Sequence, residues 1–199
     1  VDNRYAKWLP SFSTAYTINN HQDITFSFSS RLTRPNFTQL NPFRSYFSVF
    51  NYWIGNPYLL PATRTQFRIS YRYRQFRIEN NFGIEKDVLA RYPMYDSLTN
   101  EMAFLGANFP QKNFANVVLS FPVTITPWWK LSYQFSGYYN KEKTPYLNEV
   151  FNLDVYNYVT RLNQTFSLPG NTVANLLVNY ESRTGNSLYM IRPMHNTDL

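Results

Sequence analysis

Basic side chains recur along one segment of the chain at a spacing that could bind an anion. Arg64, Arg68 and Arg72 share one parity. Because successive side chains of a strand point to opposite faces, a strand would hold these three guanidinium groups on one surface. Such a surface predicts contact with anionic ligands or with acidic side chains. Glu79 and Glu85 follow on the next predicted strand, so ion pairing across that hairpin is the simpler expectation.

Other chemistry has little support in the residues. The two histidines, His21 and His195, lack a carboxylate or hydroxyl at the spacing of known catalytic or zinc motifs, and there is no cysteine. No glycine-rich phosphate loop is present. The sequence therefore predicts no enzyme, no metal site and no cofactor. The formal net charge is +7, but the arginines are scattered through strands, so no nucleic-acid partner is predicted.

The arginines belong to a predicted hairpin with two different faces, from Thr63 to Ile84. The opposite parity of its first strand is apolar: Phe67, Ile69, Tyr71 and Tyr73. After Gln75 the alternation restarts with another apolar set: Phe76, Ile78, Phe82 and Ile84. Two such strands with almost nothing between them predict a tight antiparallel hairpin. Its apolar face could meet a protein core or lipid.

The rest of the chain predicts an all-β antiparallel meander of about nine long strands. Tyr and Phe occur 17 times each, whereas Gly occurs 6 times. The further predicted strands cover about Ala6 to Ile18, Ile24 to Leu32, Glu101 to Thr126 with a kink at Pro110, Leu131 to Tyr139, Tyr156 to Leu168, and Ala174 to Tyr180, with a last one from Leu188. Longer loops are predicted at Thr33 to Ala62, Asp87 to Asn100 and Lys141 to Leu153. Short turns alternate with these loops, as in outer-membrane barrels.

Two environments fit this pattern. The mean hydropathy of −0.43 is compatible with a barrel, because barrel strands alternate apolar and polar residues. Aromatic residues near predicted strand ends suit a membrane interface: Trp8, Trp53, Trp128, Trp129, Tyr138 and Tyr139. The same aromatic residues could instead form a glycan-binding surface on a soluble sheet. Strands of ten or more residues exceed the usual length in globular sheets and favour the barrel.

The proline-rich segment carries a specific motif. From Ser30 the chain reads S-R-L-T-R-P-N-F-T-Q-L-N-P-F, and from Gly55 it reads G-N-P-Y-L-L-P. This text resembles the barrel of TonB-dependent outer-membrane receptors, in the outer membrane protein beta-barrel family abundant in Bacteroidetes. The turn I-T-P-W-W-K-L from Ile125 is similar to a periplasmic turn of that family. Ala62 departs from the pattern, which usually has Glu there, and this could change a local contact.

The resemblance implies an about 22-stranded barrel in the bacterial outer membrane that imports a scarce ligand: a siderophore, corrinoid, glycan or peptide. Residues 1–199 would form part of the barrel domain, with an extracellular loop at about 33–62. The implied partners are outer-membrane lipid, a plug domain and TonB outside this chain, and a surface lipoprotein. The chain opens on Val1 rather than Met, which suggests an internal segment. A barrel with an adhesive or structural role is the alternative, followed by a soluble glycan-binding domain.

Candidate ligand-binding residues come from the motif loop and the arginine strand. They are Arg31, Arg34, Tyr46, Tyr52, Trp53, Arg64, Arg68 and Arg72. A simpler interpretation of the motif is structural, since prolines fix φ and remove backbone donors, which would let this loop hold its shape without sheet pairing.

Overall fold

The computed structural model describes residues 7–146, 149–186 and 189–198. Its strands are β1 Ser11–Asn19, β2 Gln22–Thr33, β3 Ser45–Ser48, β4 Asn51–Ile54, β5 Ala62–Tyr73, β6 Phe76–Asp96, β7 Glu101–Thr126, β8 Trp129–Tyr146, β9 Glu149–Leu168, β10 Thr172–Glu181, β11 Thr184–Asn186, β12 Tyr189–Ile191 and β13 Met194–Asp198. One short helix, α1 Phe37–Leu40, follows β2.

The strands form one large open sheet in the order β1-β2-β5-β6-β7-β8-β9-β10-β13, with antiparallel neighbours throughout. The β3–β4 hairpin joins this sheet at β7, and β11 pairs with β12 in a separate small sheet. The sheet resembles part of a larger barrel, and the predicted all-β meander is confirmed.

The long kinked strand is also confirmed. β7 runs from Glu101 to Thr126 through Pro110 without a break in register with β6. Opposite Pro110, Asp87 has a φ of 55°, so the irregularity is taken up by the neighbouring strand. Proline donates no ladder hydrogen bond, and such local distortions are where strands tolerate it.

The predictions of long loops at Asp87 to Asn100 and at Lys141 to Leu153 were wrong. β6 continues to Asp96, so only the turn of residues 97–100 remains of the first. β8 continues to Tyr146 and β9 begins at Glu149, within the second. These strand ends lack the apolar alternation that marked the other strands, but their backbones still pair across each hairpin. At the chain ends, the described part of the first strand begins at Ser11; Ala6 and Leu188 lie outside the described residues.

The segment between β2 and β5 is more ordered than predicted. It contains α1 and the β3–β4 hairpin, and β4 pairs in parallel with β7, Asn51 to Ile54 lying beside Met102 to Leu105. The expectation that this loop avoids sheet pairing was therefore wrong. β8 pairs with β7 only as far as Lys112, which leaves the edge of β7 beyond that point open to β4.

In this sheet the apolar face is exposed and several residues of the polar face are buried, which is the reverse of a soluble protein. The apolar positions of the β5–β6 hairpin are solvent-accessible, with Phe82 43% and Ile84 42% exposed. On the other face Asn81, Ser136 and Glu142 are each 8% exposed. A soluble sheet would bury the apolar face, so this surface is suited to lipid.

An aromatic cluster lies at each end of the apolar face. Trp129 stacks on Phe166 with ring centroids 5.9 Å apart, and Tyr139 stacks on Tyr156 at 4.7 Å. Ten positions separate the two clusters along β8 and along β9. A tilted strand needs about 9–11 residues to cross a bilayer, so the clusters have the spacing of two interface belts. Trp53, expected at such an interface, instead packs within the β3–β4 hairpin.

One glycine on the charged face is required by close packing. A Cβ on Gly83 would lie 2.1 Å from the carbonyl oxygen of Thr65 and 2.9 Å from Cζ of Phe114. The ring of Phe114 covers this glycine from the opposite strand, where the two residues are cross-strand partners. Gly83 therefore allows a buried aromatic ring to lie on a mostly polar face.

We expect Gly83→Ala to destabilise the barrel by about 2 kcal/mol, because an added methyl group overpacks this contact. The measurement is the temperature at which the folded, fast-migrating form of the full-length protein is lost on unheated gel electrophoresis. Gly106→Ala is the matched control, since its Cβ would meet Cδ1 of Leu59 at an ordinary 3.4 Å. Equal transition temperatures for the two variants would contradict the packing argument.

Candidate functional site

The polar face carries a row of alternating charges across four strands. Arg64 lies opposite Glu85, Glu85 opposite Lys112, and Lys112 opposite Glu142. The guanidinium of Arg64 is 3.8 Å from the Glu85 carboxylate, and the Lys112 ammonium is 2.6 Å from that of Glu142. We call these four residues the inner charged row. Opposite charges directly across a sheet stabilise the pairing, so the row holds β5 to β8 in register.

The predicted pairing of the strand arginines with glutamates is confirmed for two of them. Arg68 pairs with Glu79 at 3.4 Å, as Arg64 does with Glu85. Arg72 pairs instead with Asp23, which also accepts its Nε hydrogen bond. The second predicted strand begins at Ile24, whereas β2 begins at Gln22 and includes Asp23. The pair of Lys112 with Glu142 was missed because Glu142 lay in the loop predicted from Lys141 to Leu153, although Lys112 lay in a predicted strand.

Arg64 also stacks on an aromatic ring. Its guanidinium lies 3.9 Å from the ring centroid of Phe114, which in turn covers Gly83. Phe114 is 8% exposed, so the cation contacts a ring that is largely shielded from water. A cation over an aromatic face adds attraction to the ion pair with Glu85. The arrangement fixes Arg64 rather than leaving it free for a ligand.

Three other arginines on this face, Arg31, Arg77 and Arg161, have no carboxylate partner in the described part of the chain. Arg31 is exposed and lies opposite Arg64, and Arg77 lies opposite Arg72. Arg161 lies opposite Gln134. Like charges across a strand pair repel, so these arginines are available to an anion. Arg34, the other arginine of the motif, follows the end of β2 and is exposed.

Backbone and amide contacts hold the motif segment against β7. The Asn36 side chain accepts from the amide of Gln39, whose own side chain accepts from the amide of Asn36, a capping box that starts α1. The Asn108 side chain accepts from the amide of Leu60 at 2.8 Å and donates to the Leu60 carbonyl at 2.9 Å. Asn56 donates to the carbonyl of Gly106 at 3.3 Å. The motif asparagines Asn36 and Asn56 thus have a structural role.

The tyrosines of the hairpin form one small cluster. Tyr46 and Tyr52 have ring centroids 5.1 Å apart, and the guanidinium of Arg44 lies 4.6 Å above the Tyr52 ring. Arg44 donates to the Tyr46 hydroxyl at 3.2 Å and lies 3.5 Å from the Glu101 carboxylate. The hydrogen bond to Tyr46, together with Tyr52 and Glu101, raises the pKa of Arg44 above its ordinary value. Arg44 and Glu101 were not among the predicted ligand residues.

Trp53 lies in a second contact set on the other side of the hairpin. Its ring packs at 5.1 Å from Phe104 and 5.2 Å from Phe47, with the guanidinium of Arg91 4.4 Å above it. The eight predicted ligand residues therefore fall into separate groups. Three belong to the hairpin, three to ion pairs of β5, and the two motif arginines to the end of β2.

Within the described ranges, no three His, Asp or Glu side chains are grouped closely enough to hold a metal ion. No helix of the described residues is long and apolar enough to span a membrane.

The family model for the outer membrane protein beta-barrel family matches residues 1–199. The chain belongs to this family. The resemblance predicted from the motif is thereby confirmed, and the protein is placed in the bacterial outer membrane. The interpretation as a soluble glycan-binding domain was wrong. An origin in Bacteroidetes stays a prediction. No curated protein matches the chain.

Solved receptors share the fold of this family member. A mutant of the ferric enterobactin receptor of Pseudomonas aeruginosa is similar with a TM-score of 0.60 and 14% identity, over 95% of this chain and 31% of that chain. The siderophore receptor PirA of the same organism is similar with a TM-score of 0.53 and 12% identity, over 97% of this chain and 42% of that chain. At such identities the likeness shows the fold alone. The chain spans less than half the length of either receptor.

We expect Lys112→Met in the full-length protein to lower stability by about 3 kcal/mol, because Glu142 loses its ammonium partner at a buried position. The measurement is the midpoint of urea unfolding in lipid vesicles. Lys141→Met is the matched control, since Lys141 lies 4.0 Å from Asp154 and both are nearly half exposed. That exposed pair should contribute less than about 1 kcal/mol. Equal losses would contradict a stabilising role for the inner charged row.

Proposed function

We propose that this chain is a barrel segment of a TonB-dependent transporter that captures a scarce ligand and imports it. A plug domain and TonB, both outside these residues, would gate and energise the import. The family and both receptor neighbours favour transport or reception over catalysis. The observation that carries the proposal is the excess of inner-face cations without an ion-pair partner in the described ranges, at Arg31, Arg77 and Arg161.

The unequal ends of the strands support an orientation. β1 and β2, β5 and β6, β7 and β8, and β9 and β10 are joined by short turns at one end of the sheet. The opposite end carries the β6–β7 and β8–β9 extensions and the segment of residues 34–61. Outer-membrane barrels have short periplasmic turns and longer external loops. We therefore assign the motif segment to the cell exterior, in agreement with the loop predicted at about 33–62.

Ligand capture would then begin at the outer end of the lumen. Arg31 is exposed there without an ion-pair partner among the described residues, and the exposed Arg34 lies close by in the chain. We propose that these two arginines meet the ligand, whereas Arg64, Arg68 and Arg72 shape the wall through their ion pairs. In the hairpin, Tyr46 is 52% exposed and available, while the buried Tyr52 packs against it and Trp53 packs against Phe104.

The cationic excess favours an anionic ligand. Guanidinium groups bind carboxylates and phosphates through charge-assisted hydrogen bonds. The two receptor neighbours are named for siderophores, so a ferric siderophore is the first candidate to test. Corrinoids, glycans and peptides are further candidates. A surface lipoprotein over the exterior loops would be a compatible partner.

Deletion of the gene should abolish growth of its bacterium on one scarce nutrient in a panel of ferric siderophores, corrinoids, glycans and peptides. In the full-length protein, Arg31→Gln should lower uptake of an anionic member roughly tenfold, the value of one charge-assisted hydrogen bond. Arg74→Gln, at the opposite hairpin turn, is the matched control. Normal growth on every nutrient with loss of surface attachment would instead support the adhesive role.

A further inference from the structure

The outward face of the sheet has an unusual distribution of charge. Between the two aromatic belts, the outward positions of the described strands β1 to β10 carry no charged side chain. Just beyond the belt of Tyr139 and Tyr156, at the end away from the short turns, outward charges appear together: Lys86, Lys141, Lys143 and Asp154. The charges therefore begin where lipid headgroups would lie.

A fourth lysine joins this level. The ammonium of Lys7 donates to the Thr63 hydroxyl at 2.7 Å, and Thr63 is the cross-strand partner of Lys86. We call Lys7, Lys86, Lys141 and Lys143 the outer lysine cluster. Asp154 lies 4.0 Å from Lys141 and accepts a hydrogen bond from Tyr139, so it offsets one ammonium. Lys86 and Lys143 are exposed and have no carboxylate partner among the described residues.

A groove lies on the same outward face, within the membrane band. Its cavity of about 310 Å³ is lined mainly by the outward residues Asn80, Phe82, Ala115, Val117, Gly137 and Tyr139. Ala115 and Gly137 leave the space, because larger side chains stand on both sides of them. A Cβ on Gly137 would already lie 3.2 Å from Cε1 of Phe135 and 3.3 Å from Cγ1 of Val117.

The groove and the cluster are adjacent along the strands. Ala115 is the cross-strand partner of both Phe82 and Tyr139. One outward position further along β8 is Lys141, and the next is Lys143. Along β6, Lys86 is two outward positions beyond Phe82. An apolar slot in the band thus opens directly towards a set of ammonium groups.

We propose that this surface binds a phosphate-bearing lipid of the outer leaflet. An acyl chain fills the groove between Phe82 and Tyr139, and the phosphate lies against the outer lysine cluster. Ammonium groups are compact charges suited to phosphate, and each lysine near an anionic lipid surface strengthens attachment. The inference rests on the proposed function only for the orientation, which assigns this end of the strands to the cell exterior.

The test uses the full-length protein purified in neutral detergent, with bound lipid counted by native mass spectrometry. The probes are lipid A, the same lipid without its phosphates, and inorganic phosphate. We expect the wild-type protein to retain lipid A in preference to the dephosphorylated lipid, and excess inorganic phosphate to leave the acylated lipid bound. Lys86→Gln with Lys143→Gln should weaken lipid A binding by about fivefold for each lysine removed.

A variant that fills the groove tests the contact with the acyl chain without changing any charge. Ala115→Leu should weaken binding of both lipids, whereas Lys130→Gln, on the inner face at the opposite end of β8, should change neither. Unheated gel mobility confirms that each variant is folded. The inference would be overturned by equal retention of the two lipids or by displacement of lipid A by inorganic phosphate alone. It would also be overturned if a second copy of the protein occupied the surface, or if binding were unchanged in both the double-lysine and Ala115 variants. Loss of nutrient uptake with lipid binding intact would contradict the transport proposal instead.

Discussion

The structure depends on one constraint, the continuous antiparallel hydrogen-bonded ladder from β1 to β10. In such a ladder the side chains alternate strictly between two faces, and a slip of one residue would exchange them. The register therefore decides at once that Phe67 and Phe82 face outward as a stacked pair and that Arg64 and Glu85 face inward as an ion pair. Residues of the inner charged row and the Phe114–Gly83 contact oppose any slip of β5 to β8, since each joins cross-strand partners.

Sequence reasoning recovered the parts of the fold in which alternation is visible. The hairpin of β5 and β6 and the unbroken course of β7 through Pro110 both follow from parity. The prediction failed where strands leave the apolar band, as at Asp96 and Tyr146, because these extensions do not alternate between polar and apolar residues although their backbone remains paired. The parallel pairing of β4 with β7 could not be foreseen, since a contact across some fifty residues leaves no periodic signal.

The candidate site was predictable in part for the same reason. Glutamates on the facing strand identified the partners of Arg64 and Arg68, but the second predicted strand began at Ile24 and so excluded Asp23, the partner of Arg72. The aromatic residues of the motif were expected to be available to a ligand, and Trp53 is instead packed between Phe104 and the guanidinium of Arg91. The contact of a guanidinium with an aromatic ring depends on how the folded chain brings the two residues together, and the spacing of residues in the sequence does not show this. Alternation does explain why the strand arginines paired with carboxylates face inward together with Lys112, whereas the outer lysine cluster lies beyond the lipid band.

The apolar face of this sheet is expected to meet lipid while the arginine face meets water. These 199 residues contain no cysteine, so nitroxide labels can be placed singly at adjacent positions on opposite faces. In the full-length protein, reconstituted in vesicles on a background free of other cysteines, the labels would be attached through Ile69→Cys and Ser70→Cys. Collision rates with oxygen and with a water-soluble nickel chelate distinguish lipid from water. We expect the label at position 69 to collide mainly with oxygen and the label at position 70 mainly with the chelate. Equal ratios at the two positions, or the reverse order, would contradict it.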